Sequence, residues 1–402
     1  MSNNNINPIK SRPENQTIPL LSPSARGDID PFIVMDVMRK AHEHEVAGRN
    51  IIHMEVGQPG TPAPEMAQVA ANQAMSAGPM GYSLALGMPE LRSAIAQKYA
   101  DQYGVTISAN RVIITTGSSA AFTYAFLSAF DPGDRIALPA PGYPCYRHIS
   151  NALGLKPVTI KTCAAGRWMP QIEDIAAAHA EAPLKGLLLA SPANPTGTMI
   201  SPERLEEITD FCNLNGIWFI SDEIYHGLTY ETPARSAIEY SHDAIVINSF
   251  SKYYSMTGWR VGWMIVPEIL VRPIERLAQN LYIAPPTISQ MAAISALRAG
   301  EELEQNKQVY AKNRGHLLAE LPKVGFKKLL PADGAFYIYA DISDLTDDSA
   351  AFAQAMLDEA GVATTPGHDF DAAEGHKYLR FSYSRAENDI LEAIARLKKW
   401  RR

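Results

Sequence analysis

Between residue 51 and about residue 266, short apolar runs alternate with stretches of helical periodicity. IIHMEV (51–56), RVIITTG (111–117), RIALPAP (135–141), KPVTIKT (156–162), KGLLLASP (185–192), IWFISDE (217–223), AIVINSF (244–250) and VGWMIV (261–266) read as strands. Most are bounded by Gly, Pro, Asp or Asn, and several are apolar throughout, as strands covered on both faces are. Helices are expected between them, for example SPERLEEITDFCNLNG, with Ser201 as cap and Pro202 in the first turn. An earlier helix is placed by Asp30 as cap, Pro31, an apolar stripe of Ile33, Val34, Val37, Met38 and Ala41, and Gly48 as stop. This alternation predicts an α/β fold, a mostly parallel mixed sheet flanked by helices. Past residue 290 the pattern changes to long charged helices, the apolar runs GAFYIYADI and KYLRFSYS, a helix at 349–360 and a basic terminal helix, an α+β arrangement. The expected organisation is a flexible polar arm over 1–28, a large domain over 51–290, and a small domain made of 29–50 with 291–402.

The 402 residues are long for one core, which agrees with two domains. A net charge of −7 implies no basic face and argues against nucleic acid as a partner. Cys145, Cys163 and Cys212 are odd in number and far apart, unlike zinc ligands, and fit a reduced compartment. His42 and His44, two apart on a helix, face different ways and make no metal pair. The start, MSNNNINPIKSRPENQ, has no apolar core of a secretory signal, and no run approaches the ~20 apolar residues of a membrane span. The expected location is cytoplasmic.

Four stretches carry candidate chemistry. Thr115-Thr116-Gly117-Ser118-Ser119 ends a strand at a glycine and opens a helix with hydroxyls, where exposed N–H groups and the helix dipole favour a phosphate. It is neither a Walker loop nor a G-x-G-x-x-G turn. Ser191-Pro192-Ala193-Asn194-Pro195-Thr196-Gly197 crowds turn residues at a strand's C-terminal end, where open α/β sheets bind ligands, and offers the Asn194 amide. In Ser221-Asp222-Glu223-Ile224-Tyr225, Asp222 ends an apolar strand, where an unpaired charge is costly, so a cationic partner is expected. Tyr225 is close enough to face the same small molecule. In Asn248-Ser249-Phe250-Ser251-Lys252, a lysine follows an apolar strand among hydroxyls and aromatics, a candidate Schiff-base nucleophile, with Arg260 eight residues on to bind a phosphate. Taken singly, each stretch is also an ordinary cap, turn or surface charge.

Together and in this order, SPANPTG, DEIY, SFSK and GWRVGW resemble the class I/II aminotransferases, the fold-type-I enzymes of pyridoxal phosphate, over roughly residues 30 to 400. The resemblance implies that Lys252 carries pyridoxal 5'-phosphate and, once freed, moves a proton at the substrate Cα. It implies that Asp222 pairs with the pyridine nitrogen and that Asn194 and Tyr225 bond the ring's 3′-oxygen. Ser118, Ser119, Ser249 and Arg260 match the phosphate cup, and Tyr143 matches the aromatic stacked on the ring. Tyr82, in GYSLALGMPELR, matches a tyrosine that reaches the neighbouring subunit's phosphate, which implies a homodimer with shared sites. Arg380, in KYLRFSYS, matches the clamp on the substrate carboxylate, and Gly57, in VGQPG, presents backbone to the same group.

The implied reaction moves an amino group from an L-amino acid to a 2-oxo acid. A lyase, decarboxylase or synthase of the same fold is the alternative, because the shared residues position the cofactor rather than choose the bond broken. A ligand-sensing regulator is remote, since only about 27 polar residues precede the first helix. Aspartate-specific relatives, as the resemblance implies, carry a lysine at the position of Ser119 or an arginine just before the stretch matching Tyr282–Pro286. Neither cation is present here, although Arg26 in the arm could swing in, and a neutral or broad donor range is expected.

Overall fold

The computed structural model describes residues 21–400, so the first twenty residues of the expected arm lie outside the described chain. Its strands are β1 (Ile52–His53), β2 (Val112–Thr115), β3 (Arg135–Ala140), β4 (Lys156–Lys161), β5 (Gly186–Ala190), β6 (Trp218–Asp222), β7 (Ile245–Ser249) and β8 (Gly262–Ile265). β9 (Lys328–Leu329), β10 (Tyr337–Asp341), β11 (Val362–Ala363), β12 (Thr365–Pro366) and β13 (Tyr378–Ser382) follow. Among the helices are α1 (Ile33–Val46), α2 (Glu65–Ser76), α3 (Pro89–Tyr103), α4 (Gly117–Ala129), α5 (Pro144–Ala152) and α6 (Ile172–Glu181). The second half adds α7 (Pro202–Asn215), α8 (Glu268–Leu281), α9 (Thr287–Ala296), α10 (Gly300–Glu320), α11 (Ser349–Ala355) and α12 (Glu387–Trp400).

Seven strands form one sheet in the order β2-β8-β7-β6-β5-β3-β4, all parallel except β8, which runs antiparallel to both β2 and β7. The all-apolar runs have the physical cause inferred for them: successive side chains feed opposite faces, and helices cover both. Val246 packs in the cluster with Leu91, Ile95, Leu205 and Ile208 of α3 and α7. Its neighbours Ile245 and Ile247 pack in the cluster with Phe122, Phe126 and Ile274 of α4 and α8. α7 is bounded as its sequence implies, by the Ser201 hydroxyl accepting from Arg204 N at 3.2 Å and by Gly216 in the left-handed conformation.

A four-stranded sheet, β12-β13-β10-β9, carries the other core, where Tyr310, Phe336, Tyr337, Phe381, Ile390 and Leu397 are buried together. Two local expectations fail here. The run IIHMEV does not enter the large sheet: β1 pairs in parallel with β11, and Ile52 and Met54 pack in the second core. An apolar run states only that a strand is buried, not which sheet receives it. Asp30 does not cap α1 either. The cap is Asp369, whose carboxylate oxygens accept from Ile33 N (3.0 Å) and Val34 N (3.3 Å).

Candidate active site

The sheet brings the four sequence stretches to one edge. β5, β6 and β7 run parallel in register, with Ala190 opposite Asp222 and Asp222 opposite Ile247, so the segments carrying Asn194, Asp222 and Lys252 all emerge at their C-terminal ends. β8 runs the other way, so the residues before it return to that edge, with Gly262 opposite Ser249. Arg260 is thereby placed beside Lys252. β2 is antiparallel to β8, with Thr115 opposite Gly262, and so delivers the N-terminus of α4 to the same place.

These segments enclose a cavity whose lining brings together the candidates Gly57, Ser118, Ser119, Tyr143, Asn194, Asp222, Tyr225, Lys252, Arg260 and Arg380. Two predicted residues stand apart. Ser249 sits behind the wall, its Oγ 2.8 Å from Ser251 Oγ and 3.1 Å from the Val261 carbonyl, and Ser251 lines the cavity instead. The strand still pairs at Ser249, which turns that side chain back under the loop. Tyr82 lies outside this cavity and is 84% exposed.

Further lining residues were not read from the sequence: Phe32, Val34 and Met35 of the α1 entry, Val56, Phe122, Tyr146, Ile224, Thr257 and Tyr337. Tyr146 has one legible signal, its position one turn after Tyr143 on α5. Phe32, Val34, Met35 and Tyr337 had none, because they belong to apolar patterns indistinguishable from core.

Electrostatics distinguish the polar groups. Asp222 is 3% exposed and no ion pair forms on it among the described residues. Its carboxylate accepts from the Tyr146 hydroxyl and from Ile224 N (3.0 Å), two neutral donors that stand beside the cationic partner expected for it. Burial pushes its carboxyl up to about 6, against the pull of Tyr146, the Ile224 N–H and the Lys252 charge. The Lys252 ammonium donates to the Gly57 carbonyl at 2.6 Å. Burial, then the cations Arg380 and Arg260, bring it down to about 8, opposed by Asp222.

Arg380 is 2% exposed and is sandwiched at 4.5 Å from the Tyr337 ring and 4.8 Å from the Phe370 ring. It donates to Asn194 Oδ1 (2.9 Å), Thr365 Oγ1 (3.1 Å) and the Glu55 carbonyl, all uncharged acceptors, and its Nε is buried without a partner. A buried guanidinium bonded only to neutral groups is a receptor for an anion. The Tyr337 and Tyr225 hydroxyls are 2.7 Å apart. Gly57 is required by this packing, since a Cβ there would overlap the Tyr337 hydroxyl.

A sequence profile of the family described as aminotransferase class I and II matches residues 49–397. The chain belongs to this family. It is 46% identical to the valine–pyruvate aminotransferase of Mycobacterium tuberculosis over 379 residues, 93% of this chain and 97% of that one. A crystal structure of an aminotransferase from Mycobacterium tuberculosis superposes with a TM-score of 0.92 at 45% identity, covering 95% of this chain and 99% of the other. Aspartate aminotransferase from Thermus thermophilus, solved with maleate, superposes at 0.89 with 30% identity over 94% of this chain and 100% of that chain. This aminotransferase therefore has the fold-type-I architecture, and it is an enzyme that transfers amino groups.

Proposed function

We propose that the cavity of this aminotransferase holds pyridoxal phosphate and uses it to move the amino group of a neutral L-amino acid to a 2-oxo acid. The observation that carries this reading is the set of donors at the sheet edge. The α4 N-terminus with Ser118 and Ser119, joined by Ser251, Thr257 and Arg260, is a cradle for a phosphate. Arg260 makes no ion pair among the described residues, donating only to the Thr257 carbonyl at 3.1 Å. Gly117, at φ +72°, leaves the space that the Arg260 guanidinium fills. Tyr143 offers a ring face, Asp222 would hold the pyridine nitrogen protonated, and Tyr225 and Asn194 would bond the ring oxygen. Asn194 Oδ1 is already taken by Arg380, which leaves its NH2 to donate.

When bound, the cofactor supplies a carbonyl that condenses with the donor amine and a ring that withdraws electrons from the donor's Cα–H bond. Arg380 would bind the donor carboxylate as a planar fork, orienting that Cα–H bond. Lys252, with an amine poised near neutrality, would take the proton from Cα. Phe32, Val34, Met35 and Val56 form an apolar wall that excludes water and meets the donor side chain. Among the described residues lining the cavity the cations are Lys252, Arg260 and Arg380, so a second carboxylate finds none to spare. Arg26 lies in the turn Ala25–Gly27 and does not line the cavity. Burying that carboxylate against the wall costs several kcal/mol, a 100-fold or larger penalty.

The same reading gives a homodimer in which exposed Tyr82 serves the partner's cofactor phosphate, and a small domain of 29–50 with 291–402 to which β1 also attaches. It places the enzyme in the cytoplasm, with amino and 2-oxo acids as its partners rather than nucleic acid. No helix among the described residues is long and apolar enough to cross a membrane. The test is kcat/KM for valine, alanine, methionine, phenylalanine and aspartate with one common acceptor. Neutral donors are expected to lead, and aspartate ahead by tenfold or more refutes the specificity. Lys252→Ala turning over at the parent rate refutes the mechanism.

A further inference from the structure

The first turn of α1 has no cap from its own segment: Phe32 precedes it, and no side chain there accepts its orphan N–H groups. Asp369 does so from more than 330 residues away, bonding both Ile33 N and Val34 N. This carboxylate is 2% exposed. Its neighbour Phe370 lies against the Arg380 guanidinium and accepts from Gly142 N at 3.0 Å, next to Tyr143, whose ring meets Phe32 edge-on at 5.8 Å. The later turns of α1 are anchored differently, by Ala41 and Val37 packed on Ile51, Leu357 and Ala363. Only the helix entry reaches the cavity, through Phe32, Val34 and Met35.

We propose that Asp369 is a positioning residue for donor specificity, latching the entry of α1 to the platform that carries Arg380. Phe32, Val34 and Met35 then stand as a fixed wall against the side chain of a donor whose carboxylate Arg380 holds. The inference rests on the neutral-donor reading above. Without the latch two backbone N–H groups lose their acceptor and the first turn frays, while the sheet edge holding the cofactor is untouched. Small donors that do not reach the wall are indifferent to this; larger aliphatic donors are not. Each methylene packed against the wall is worth about fourfold in kcat/KM, so valine gains roughly tenfold or more over alanine.

The test compares cofactor-loaded parent, Asp369→Asn and Asp369→Ala in two arms. Hydrogen exchange at residues 33–36 is expected to quicken by about tenfold or more in Asp369→Ala, with β2 and β8 unchanged. The valine-to-alanine ratio of kcat/KM is expected to fall about tenfold, through KM for valine, with kcat for alanine within about threefold of the parent. Asp369→Asn keeps one acceptor oxygen and should fall between, and it serves alone if the alanine variant does not fold. Unchanged exchange overturns the latch. Faster exchange with an unchanged ratio overturns the specificity role, as does an equal loss for both donors. A parent inactive on every neutral donor refutes the functional reading instead, and the exchange arm still decides the latch.

Discussion

Replacing Lys252 by methionine is expected to abolish turnover while making the cofactor-free protein more stable near neutral pH. The folded chain holds this amine at about 8 against an ordinary 10.5, chiefly through burial and then through Arg380 and Arg260. At ~1.4 kcal/mol per pH unit, that drop is about 3 kcal/mol of cost for carrying the ammonium in the fold. The side chain is only partly buried, and solvent screening trims the figure to about 2 kcal/mol. Losing the bond to the Gly57 carbonyl returns about 1 kcal/mol to the parent, and the methionine chain fills a volume similar to the lysine stem. The net at pH 7 is about 1 kcal/mol in favour of the variant. The cost is fully present below about pH 8. Between about 8 and 10.5 the unfolded chain binds more protons than the folded one, so the parent gains stability as pH rises. By pH 10.5 the variant should be the weaker by about 1 kcal/mol. With 402 residues at ~2 cal/mol/K each, 1 kcal/mol is about 1 °C. Thermal midpoints of the two cofactor-free proteins from pH 6.5 to 10.5 should therefore cross. A difference flat with pH, or a variant weaker at pH 7 and stronger at 10.5, refutes the reasoning.

Three further outcomes are expected. Tyr146→Phe removes a donor that holds the Asp222 carboxyl down, so that carboxyl climbs above about 6 and the acid limb of kcat/KM against pH moves upward; an unmoved limb counts against the assignment. Gly57→Ala drives a methyl into the Tyr337 hydroxyl, pushing that ring off Arg380, and should lower kcat/KM at least tenfold with the cofactor still bound; parent-like kinetics would show the ring is free to move. Co-refolding inactive, folded Tyr82→Phe and Lys252→Ala subunits should restore part of the activity through hybrid dimers, and no recovery at all would rule out the shared site.

Much of this was legible in the sequence for a local reason. A strand that ends in Asp222 or Ser249, or a glycine and two hydroxyls that open α4, are short-range patterns, and each states both its element and its exposed chemistry. The order of those patterns along the chain carried the family. What the sequence did not show were the partners each side chain meets in the fold. Asp222 was expected to meet a cation because a buried charge needs compensation; that its carboxylate also accepts from the Tyr146 hydroxyl and Ile224 N is visible only in the fold. The family resemblance placed Ser249 in the phosphate cup; in the fold its hydroxyl lies 2.8 Å from Ser251 Oγ, and Ser251 lines the cavity.

The sequence by itself determined the strands and helices and the chemistry available at one edge of the sheet. Tertiary structure alone decided which sheet receives β1, which carboxylate caps α1, and that Phe32, Val34, Met35 and Tyr337 leave the core pattern to wall a site. The division is physical. Periodicity and caps depend on residues within a turn or two of each other, whereas the choice of partner depends on free energies summed over contacts between residues hundreds of positions apart, as Asp369 and Ile33 are.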